Sequence, residues 1–213
     1  MTSAITYDAI IFDLDGTLID SERPALLSAQ RALSDMGFDV SMDFLTSLIG
    51  ISDTDVAPRL NAHLNADLDY AAYEAAFARA HTHRRDTRLR PHVADILPAL
   101  SAPLAVATSS RRLRATEKLT DAGIAQYFAT VVTADCVAAH KPDPAPFVEA
   151  ANRLQADPAR CLAIEDSPPG VAAALAAGMT VVHVPDMLVP ETSPAHHFTQ
   201  DLRGGLRAAG LLL

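Results

Sequence analysis

Five short runs of apolar residues along the chain predict buried β-strands. These runs are Ala9–Asp13, Leu104–Thr108, Thr130–Thr133, Cys161–Glu165 and Thr180–Val184. Each run is continuous rather than alternating, which is typical of strands that are covered on both faces of a sheet. The later runs alternate with helical patterns, and that alternation predicts right-handed crossovers and a parallel sheet.

The helices between these strands are predicted from apolar spacing and from residues that begin or end helices. They cover Val93–Leu100, Arg111–Ala122, Pro144–Leu154 and Pro168–Ala177. Gly123 and Gly178 follow two of them as expected C-terminal residues, and Asp143 is an expected N-cap. The pattern as a whole predicts an α/β fold with a Rossmann-like, three-layer core around a parallel sheet.

About 90 residues separate the first predicted strand from the second, and their pattern is almost entirely helical. Helices are expected from Ser21, as N-cap, to Met36, and over Met42–Leu48, Asp53–Leu64 and Asp69–Arg85. This segment therefore predicts an all-α cap domain inserted after the first strand. We expect the cap to span residues 18–90 and the α/β catalytic core to comprise residues 1–17 and 91–213.

Polar residues follow four of the predicted strands or lie in the loops after them. They are Asp13, Asp15, Thr108, Ser109, Lys141, Glu165 and Asp166, and Gly16 lies among them after the first strand. The carboxyl ends of parallel strands lie along one edge of a sheet, which is where such folds bind ligands. We therefore expect these residues, which come from distant parts of the sequence, to form one site.

The acids of this set are suited to holding a metal ion. Asp13, Asp15 and Asp166 provide hard carboxylate oxygens, and so much negative charge in one place would raise the pKa of each group. A divalent cation removes that repulsion, and Mg²⁺ accepts a few carboxylates together with waters and a phosphate oxygen. The sequence thus predicts a Mg²⁺ site.

The remaining residues of the set are suited to holding phosphate. The Thr108 hydroxyl and backbone N–H groups around Ser109 can bind phosphate oxygens, and Lys141 supplies positive charge. Gly16 allows a sharp turn and a close approach of the backbone. Together with the acids, these groups are equipped for phosphoryl transfer to a carboxylate, which depends mainly on positioning and electrostatic stabilisation.

Composition narrows the class of protein and its surroundings. A formal net charge of −9 argues against nucleic-acid binding, and no apolar run reaches the ~20 residues of a membrane span. No signal peptide is recognisable, and Cys136 and Cys161 cannot form a disulfide framework, so we expect a cytoplasmic protein. Of 17 basic residues only Lys118 and Lys141 are lysines. Because the chain otherwise uses arginine, a lysine at these positions suggests that a compact point charge is needed there.

These motifs resemble those of the haloacid dehalogenase-like (HAD) superfamily, in its phosphatase and β-phosphoglucomutase-like branch with a helical cap. The resemblance covers essentially the whole chain. It is carried, in order, by Asp13–Leu18, by Thr108, by Lys141–Pro144, and by Glu165–Ser167 with the helix that follows. It implies the same α/β core with an inserted cap.

The resemblance also implies roles for individual residues. Asp13 matches the nucleophile, and Asp15 matches the general acid/base whose backbone carbonyl is a metal ligand. Asp166 matches the Mg²⁺-binding carboxylate, with Glu165 in support. Dehalogenase members lack the second Asp, so Asp15 counts against dehalogenation.

Two further positions match the phosphate-binding residues of the family, namely Thr108 and Lys141. The resemblance thus implies a Mg²⁺-dependent phosphatase that forms an aspartyl-phosphate and acts on a small phosphorylated metabolite, such as a sugar phosphate. We expect a monomer or a weak homo-oligomer. The loose pattern of the cap leaves the substrate open.

Two alternatives remain open from the sequence. The first is a β-phosphoglucomutase-like mutase, which would carry an Arg after the Gly50-Ile51-Ser52 segment and a His early in the first cap helix. This chain has Asp53 and Ala25 there, which favours water as the final acceptor. The second alternative is a non-catalytic binding or regulatory protein, although such proteins usually lose a catalytic Asp.

Overall fold

The computed structural model of the 213-residue chain describes residues 7–48, 53–81, 87–187 and 189–211. Residues 50–52 and Arg85, which the sequence analysis used, lie outside these ranges. The strands of the described residues are β1 (Ala9–Phe12), β2 (Ile19–Asp20), β3 (Arg88–Leu89), β4 (Leu104–Ala107), β5 (Thr130–Val132), β6 (Cys161–Glu165), β7 (Thr180–His183) and β8 (His197–Phe198). The helices are α1 (Glu22–Asp35), α2 (Met42–Thr46), α3 (Asp53–Leu64), α4 (Tyr70–Ala80), α5 (Val93–Ile96), α6 (Arg112–Asp121), α7 (Ala145–Arg153), α8 (Pro168–Ala176) and α9 (Leu202–Ala208).

A parallel six-stranded sheet with the order β5-β4-β1-β6-β7-β8 forms the centre of the fold. Strand β1 lies between β4 and β6, and its Ile11 is paired with Ala105 on one side and Ala163 on the other. After β1, the strands β4 and β5 are added on one side of it, and β6, β7 and β8 are then added on the other side. This reversal of strand order next to β1 is where open α/β sheets form their ligand sites.

Both faces of the sheet are buried, as the continuous apolar runs predicted. Alternate residues of a strand point to opposite faces, so Ile10 and Phe12 belong to one hydrophobic cluster while Ala9 and Ile11 belong to another. Helices α5, α6 and α9 contribute to the first cluster, and α7 and α8 to the second. The predicted α/β class with a three-layer, Rossmann-like core is confirmed.

The chain divides into two compact units. One consists of the residues up to Asp20 together with those from Thr87 onward, and the other is Ser21–Asp86. The second unit contains α1 to α4, and α1 and α4 pack against each other within it. In the first unit, the short antiparallel ribbon of β2 and β3 joins the two segments that lead into and out of the helical unit.

Some local predictions differ from the structure. Ser21 is the N-cap residue of α1, as predicted, but its side chain makes no cap bond because its own backbone is already helical, with φ −101° and ψ −24°, whereas a capping residue is usually extended. The helix predicted over Asp69–Arg85 ends at Ala80. The two-residue strands and α9, with Gly204 and Gly205 in its centre, were not predicted because they carry too little periodicity or helix propensity.

Within the described part of the chain, no helix combines the length and the apolar character needed to cross a bilayer.

Two neighbouring glycines of α9 provide a test of how this helix packs on the sheet. A Cβ on Gly205 would lie 2.4 Å from Cγ1 of Val182 in β7, whereas a Cβ on Gly204 would have its nearest neighbour, Oδ1 of Asp201, at 3.4 Å. We expect Gly205→Ala to lower the free energy of unfolding by about 1–3 kcal/mol through overpacking. Gly204→Ala is the matched control and should leave it unchanged or raise it by up to ~1 kcal/mol through helix propensity.

Urea denaturation of the two variants measures this difference directly. Equal effects of both substitutions would contradict the close packing of α9 against β7.

Candidate active site

A buried group of charges lies at the carboxyl end of β1. Asp13 directly follows this strand, and its backbone N–H donates to the carbonyl of Ile164 in β6 at 2.9 Å. Its side chain is only 8% exposed, and its carboxylate accepts a bond from Nζ of Lys141 at 2.5 Å. The same ammonium donates to Oε1 of Glu165 at 2.6 Å. One cation therefore joins two acids from two adjacent strands.

Glu165 is held rigidly in this group. Its Oε2 atom accepts bonds from the backbone N–H of Ser167 at 2.7 Å and from the Ser167 hydroxyl at 2.8 Å. Gly170 in α8 leaves room for this carboxylate, because a Cβ at that position would lie 1.8 Å from Oε1. Both oxygens of Glu165 thus have protein donors, so the residue orients Lys141.

The charges of the site shift the pKa of its members. Burial, together with the negative charges of Glu165 and Asp15, raises the pKa of Asp13 to about 8, although Lys141 opposes this shift. Burial acts to lower the pKa of Lys141, but Asp13 and Glu165 outweigh it and hold that pKa above the usual lysine range. The site therefore carries more negative charge than its lysine neutralises.

Asp166 comes close to the backbone of the loop after β1. Gly16 has a φ of +86°, and a Cβ there would lie 2.1 Å from Oδ2 of Asp166. The hydroxyl of Thr17 donates to Oδ1 of Asp166 at 3.2 Å. The buried His183 lies 2.9 Å, through Nε2, from the backbone carbonyl of Asp166. Gly16 is therefore required both by its backbone conformation and by the space that Asp166 occupies.

Three carboxylates of the site are close enough to bind one cation. Oxygen atoms of Asp13, Glu165 and Asp166 all lie within 4.8 Å of one another. Such hard oxygen donors, with excess negative charge, fit Mg²⁺. Asp13, Asp15 and Asp166 were expected in this role from the sequence, whereas the carboxylate cluster contains Glu165 and not the side chain of Asp15.

The carboxylate of Asp15 lies instead in a separate polar cluster. Its Oδ1 accepts a bond from Nζ of Lys118 in α6 at 2.5 Å, and its Oδ2 accepts one from the hydroxyl of Ser110 at 2.7 Å. Sequence reasoning assigned no function to Lys118 or Ser110. The one feature of the sequence that could have indicated a role for Lys118 is that it is one of two lysines among 17 basic residues.

Thr108 and Ser109 follow β4, the strand next to β1. Thr108 is buried, donates its backbone N–H to the carbonyl of Val132, and accepts a bond on its hydroxyl from the N–H of Ser110 at 3.0 Å. Ser109 is exposed. The bond from Ser110 to Asp15 joins this turn to the loop after β1, so the predicted phosphate-binding turn lies beside the predicted acid/base.

Comparison with known proteins agrees with this arrangement. Residues 10–184 match the family model of the haloacid dehalogenase-like hydrolases. The chain is 33% identical over 186 residues to the fructose-1-phosphate phosphatase YqaB of Escherichia coli, covering 84% of this chain and 96% of that protein. It is 32% identical over 193 residues to a plasmid-encoded phosphoglycolate phosphatase of Cupriavidus necator, with coverages of 84% and 81%.

A solved structure shares the whole fold. A HAD family hydrolase from Deinococcus radiodurans, crystallised with bound phosphate and sodium, superposes with a TM-score of 0.81 at 28% identity, covering 97% of this chain and 96% of that one. The match to the family model extends over most of the sequence and includes the acids that follow β1 and β6. The chain belongs to the haloacid dehalogenase-like hydrolase family.

Proposed function

We propose that this chain, a phosphatase of the HAD-like family, hydrolyses phosphomonoesters of small metabolites with Mg²⁺ through an aspartyl-phosphate on Asp13. The observation that carries the proposal is the buried Asp13 carboxylate, which is paired with Lys141 and lies within 4.8 Å of two further carboxylates. The names of the two relatives, a fructose-1-phosphate phosphatase and a phosphoglycolate phosphatase, support a small phosphorylated substrate.

In the first step, an oxygen of Asp13 attacks phosphorus and the bond from phosphorus to the ester oxygen breaks. Asp15 donates a proton to that leaving oxygen, so the alcohol departs neutral. In the second step, Asp15 takes a proton from water, and the water oxygen attacks the phosphorus of the aspartyl-phosphate. Inorganic phosphate leaves, and Asp13 is regenerated as a carboxylate.

Lys141 has two tasks in this scheme. Its ammonium opposes the rise in the pKa of Asp13 that burial causes, so that together with bound Mg²⁺ it would favour the ionised carboxylate. It also neutralises charge on the transferring phosphoryl group. Glu165 fixes the ammonium between the two acids, as the 2.6 Å bond indicates. Backbone N–H groups of the turn at Ser109, with the hydroxyl of Thr108, are assigned to the phosphate oxygens.

The residues proposed to hold Mg²⁺ are Asp13 and Asp166, through their carboxylates, and Asp15, through its backbone carbonyl. Glu165 is a supporting residue because both of its oxygens are bonded to Lys141 and Ser167. When bound, Mg²⁺ supplies positive charge that offsets the crowded carboxylates and polarises a phosphate oxygen. Thr17 and His183 fix Asp166 through its side chain and its backbone carbonyl, respectively.

We also propose that the helical segment is a cap domain that selects the substrate. The proposal is supported by the compactness of Ser21–Asp86 as a unit, and by the β2–β3 ribbon at which the chain leaves and re-enters the α/β core. Short paired hinges of this kind allow an inserted unit to move as one body.

Metal dependence follows from the excess negative charge of the site. Hydrolysis of p-nitrophenyl phosphate, and of a panel that includes fructose 1-phosphate and phosphoglycolate, should be abolished by EDTA and restored by Mg²⁺. Ca²⁺ should bind but support little turnover, because its 6–8 loosely arranged ligands do not hold the octahedral geometry that in-line attack needs. Full activity after exhaustive removal of metal, or no activity on any phosphomonoester, would contradict the proposal.

The pKa of Asp13 makes the effect of Mg²⁺ depend on pH. Because this pKa is raised to about 8 in the ion-free protein, native Asp13 retains a proton that unfolded Asp13 releases near pH 4. Its contribution to stability therefore falls as pH rises from about 4 to 8. Mg²⁺ competes with that proton, so its apparent affinity should weaken by up to about tenfold for each pH unit below 8.

Thermal unfolding at pH 6 and pH 8, with and without Mg²⁺, measures this linkage. The rise in Tm caused by Mg²⁺ should be larger at pH 8, and Asp13→Asn should remove most of the difference. An equal rise at both pH values in the wild-type protein would argue against a protonated Asp13 in the ion-free site.

Asp13 and Asp15 should have separable roles. Asp13→Asn should abolish turnover, because an amide is a poor nucleophile. Asp15→Asn should still transfer the phosphoryl group from p-nitrophenyl phosphate, whose acidic leaving group needs little help from an acid. Release of phosphate should then slow by roughly 10²–10⁴-fold, since the general base is missing.

The observable for Asp15→Asn is a burst of about one nitrophenol per enzyme, with one phosphoryl group on the peptide that carries Asp13. Steady turnover of this variant at the wild-type rate, or phosphorylation of a different residue, would mean that the two carboxylates are wrongly assigned.

A further inference from the structure

We infer that Lys118 is a positioning residue which, with Ser110, fixes the carboxylate of Asp15 for its proton transfers. The inference rests on the proposed function, because it assumes that Asp15 is the acid/base. Nζ of Lys118 lies 2.5 Å from Oδ1 of Asp15, and the hydroxyl of Ser110 lies 2.7 Å from Oδ2. The ammonium also lies 3.4 Å from the Ser110 hydroxyl. The three side chains thus contact one another in one polar cluster.

The two donors act on different oxygens of one carboxylate, and that fixes its orientation. A carboxylate held at a single oxygen can turn about its last bond, whereas donors on both oxygens define the plane of the group. Proton transfer requires an acid/base oxygen within about 2.6–3.2 Å of the reacting oxygen, so small rotations of Asp15 lower the rate. The cluster supplies this constraint without touching phosphorus.

Stability alone does not account for this cluster. The side chains of Lys118 and Asp15 are 22% and 29% exposed, and ion pairs that remain in contact with water contribute little to the free energy of folding. Another cation of the same helix, Arg114, pairs at 3.5 Å with Glu117, and the side chains of that pair are 52% and 41% exposed. Lys118 differs from Arg114 because its partner is the residue proposed to move protons.

The identity of the cation fits the same task. The chain uses arginine at 15 of its 17 basic positions, and of its two lysines Lys141 contacts Asp13 and Lys118 contacts Asp15. A guanidinium tends to engage both oxygens of a carboxylate at once, whereas an ammonium is a compact charge that satisfies one. Lysine at position 118 therefore leaves Oδ2 to the Ser110 hydroxyl, which a bidentate arginine would displace.

The test compares Lys118→Met with Arg114→Met, which removes a positive charge from the same helix but has no contact with Asp15. Rapid-mixing kinetics with p-nitrophenyl phosphate separate the first turnover, which needs little acid catalysis, from steady turnover, which needs the base. Lys118→Met should leave kcat/KM and the first-turnover rate unchanged and lower the steady rate about tenfold or more, with KM falling by the same factor because only the second step is slowed. With an alkyl phosphate such as glycerol 3-phosphate, the first turnover should slow as well.

Two further variants keep the result independent of folding. Ser110→Ala should show the same separation of phases in a weaker form, because one of the two donors remains. Lys118→Arg keeps the charge and should recover part of the lost steady rate. The amplitude of the first turnover counts active sites, so rates are compared per folded enzyme.

The outcomes separate failure of the inference from failure of the proposed function. If Lys118→Met matches Arg114→Met in every phase, or if it lowers kcat/KM or slows the first release of nitrophenol, then Lys118 does not act through Asp15 and the inference is overturned. If the wild-type protein hydrolyses no phosphomonoester with Mg²⁺, the proposed function fails and the inference fails with it.

Discussion

The contact on which the site depends is the buried ion pair between Asp13 and Lys141, extended to Glu165. Two acids and one cation lie in a region that is nearly closed to water, where unpaired charges are costly. Asp13 lies beside Asp166 in this group, and the negative charge that Lys141 does not neutralise favours the binding of a divalent cation. A buried charge cluster of this kind adds little to stability, and we propose that its role is to position Asp13 as the nucleophile.

The topology explains how such distant residues meet. β1 is central, with β4 on one side and β6 on the other, so the loops after all three strands open at the same edge. Asp13 and Asp15 come from the first of these loops, Ser110 from the second, and Asp166 from the third. Hydrogen bonds from Ser110 to Asp15 and from Thr17 to Asp166 then join the loops to one another.

The strands and the acids of the site could be predicted from the sequence because each follows from a local pattern of residues. Contacts between side chains that are distant in the sequence could not be predicted, because they depend on how the chain folds. The core strands were predictable because continuous apolar runs are buried on both faces, and the acids because they follow those runs directly. Lys118 is one of only two lysines in the sequence, but its contact with Asp15 depends on the position of α6 in the fold and could not be predicted. His183 could not be assigned, since a lone histidine at a strand end does not reveal the backbone carbonyl of Asp166 as its partner. Ser21 lies at the predicted N-cap position, but its side chain makes no cap bond, since such a bond depends on backbone angles as well as residue type.

The central claim is that Asp13 accepts the phosphoryl group beside a bound cation. A crystal structure with Mg²⁺ and beryllium fluoride, which mimics a phosphoryl group on a carboxylate, tests it most directly. The account predicts beryllium bonded to a carboxylate oxygen of Asp13, Lys141 in contact with a fluoride, and Mg²⁺ contacting Asp166 and the backbone carbonyl of Asp15. Beryllium bonded to Asp15 or to another residue, or Mg²⁺ held away from Asp13 and Asp166, would contradict it.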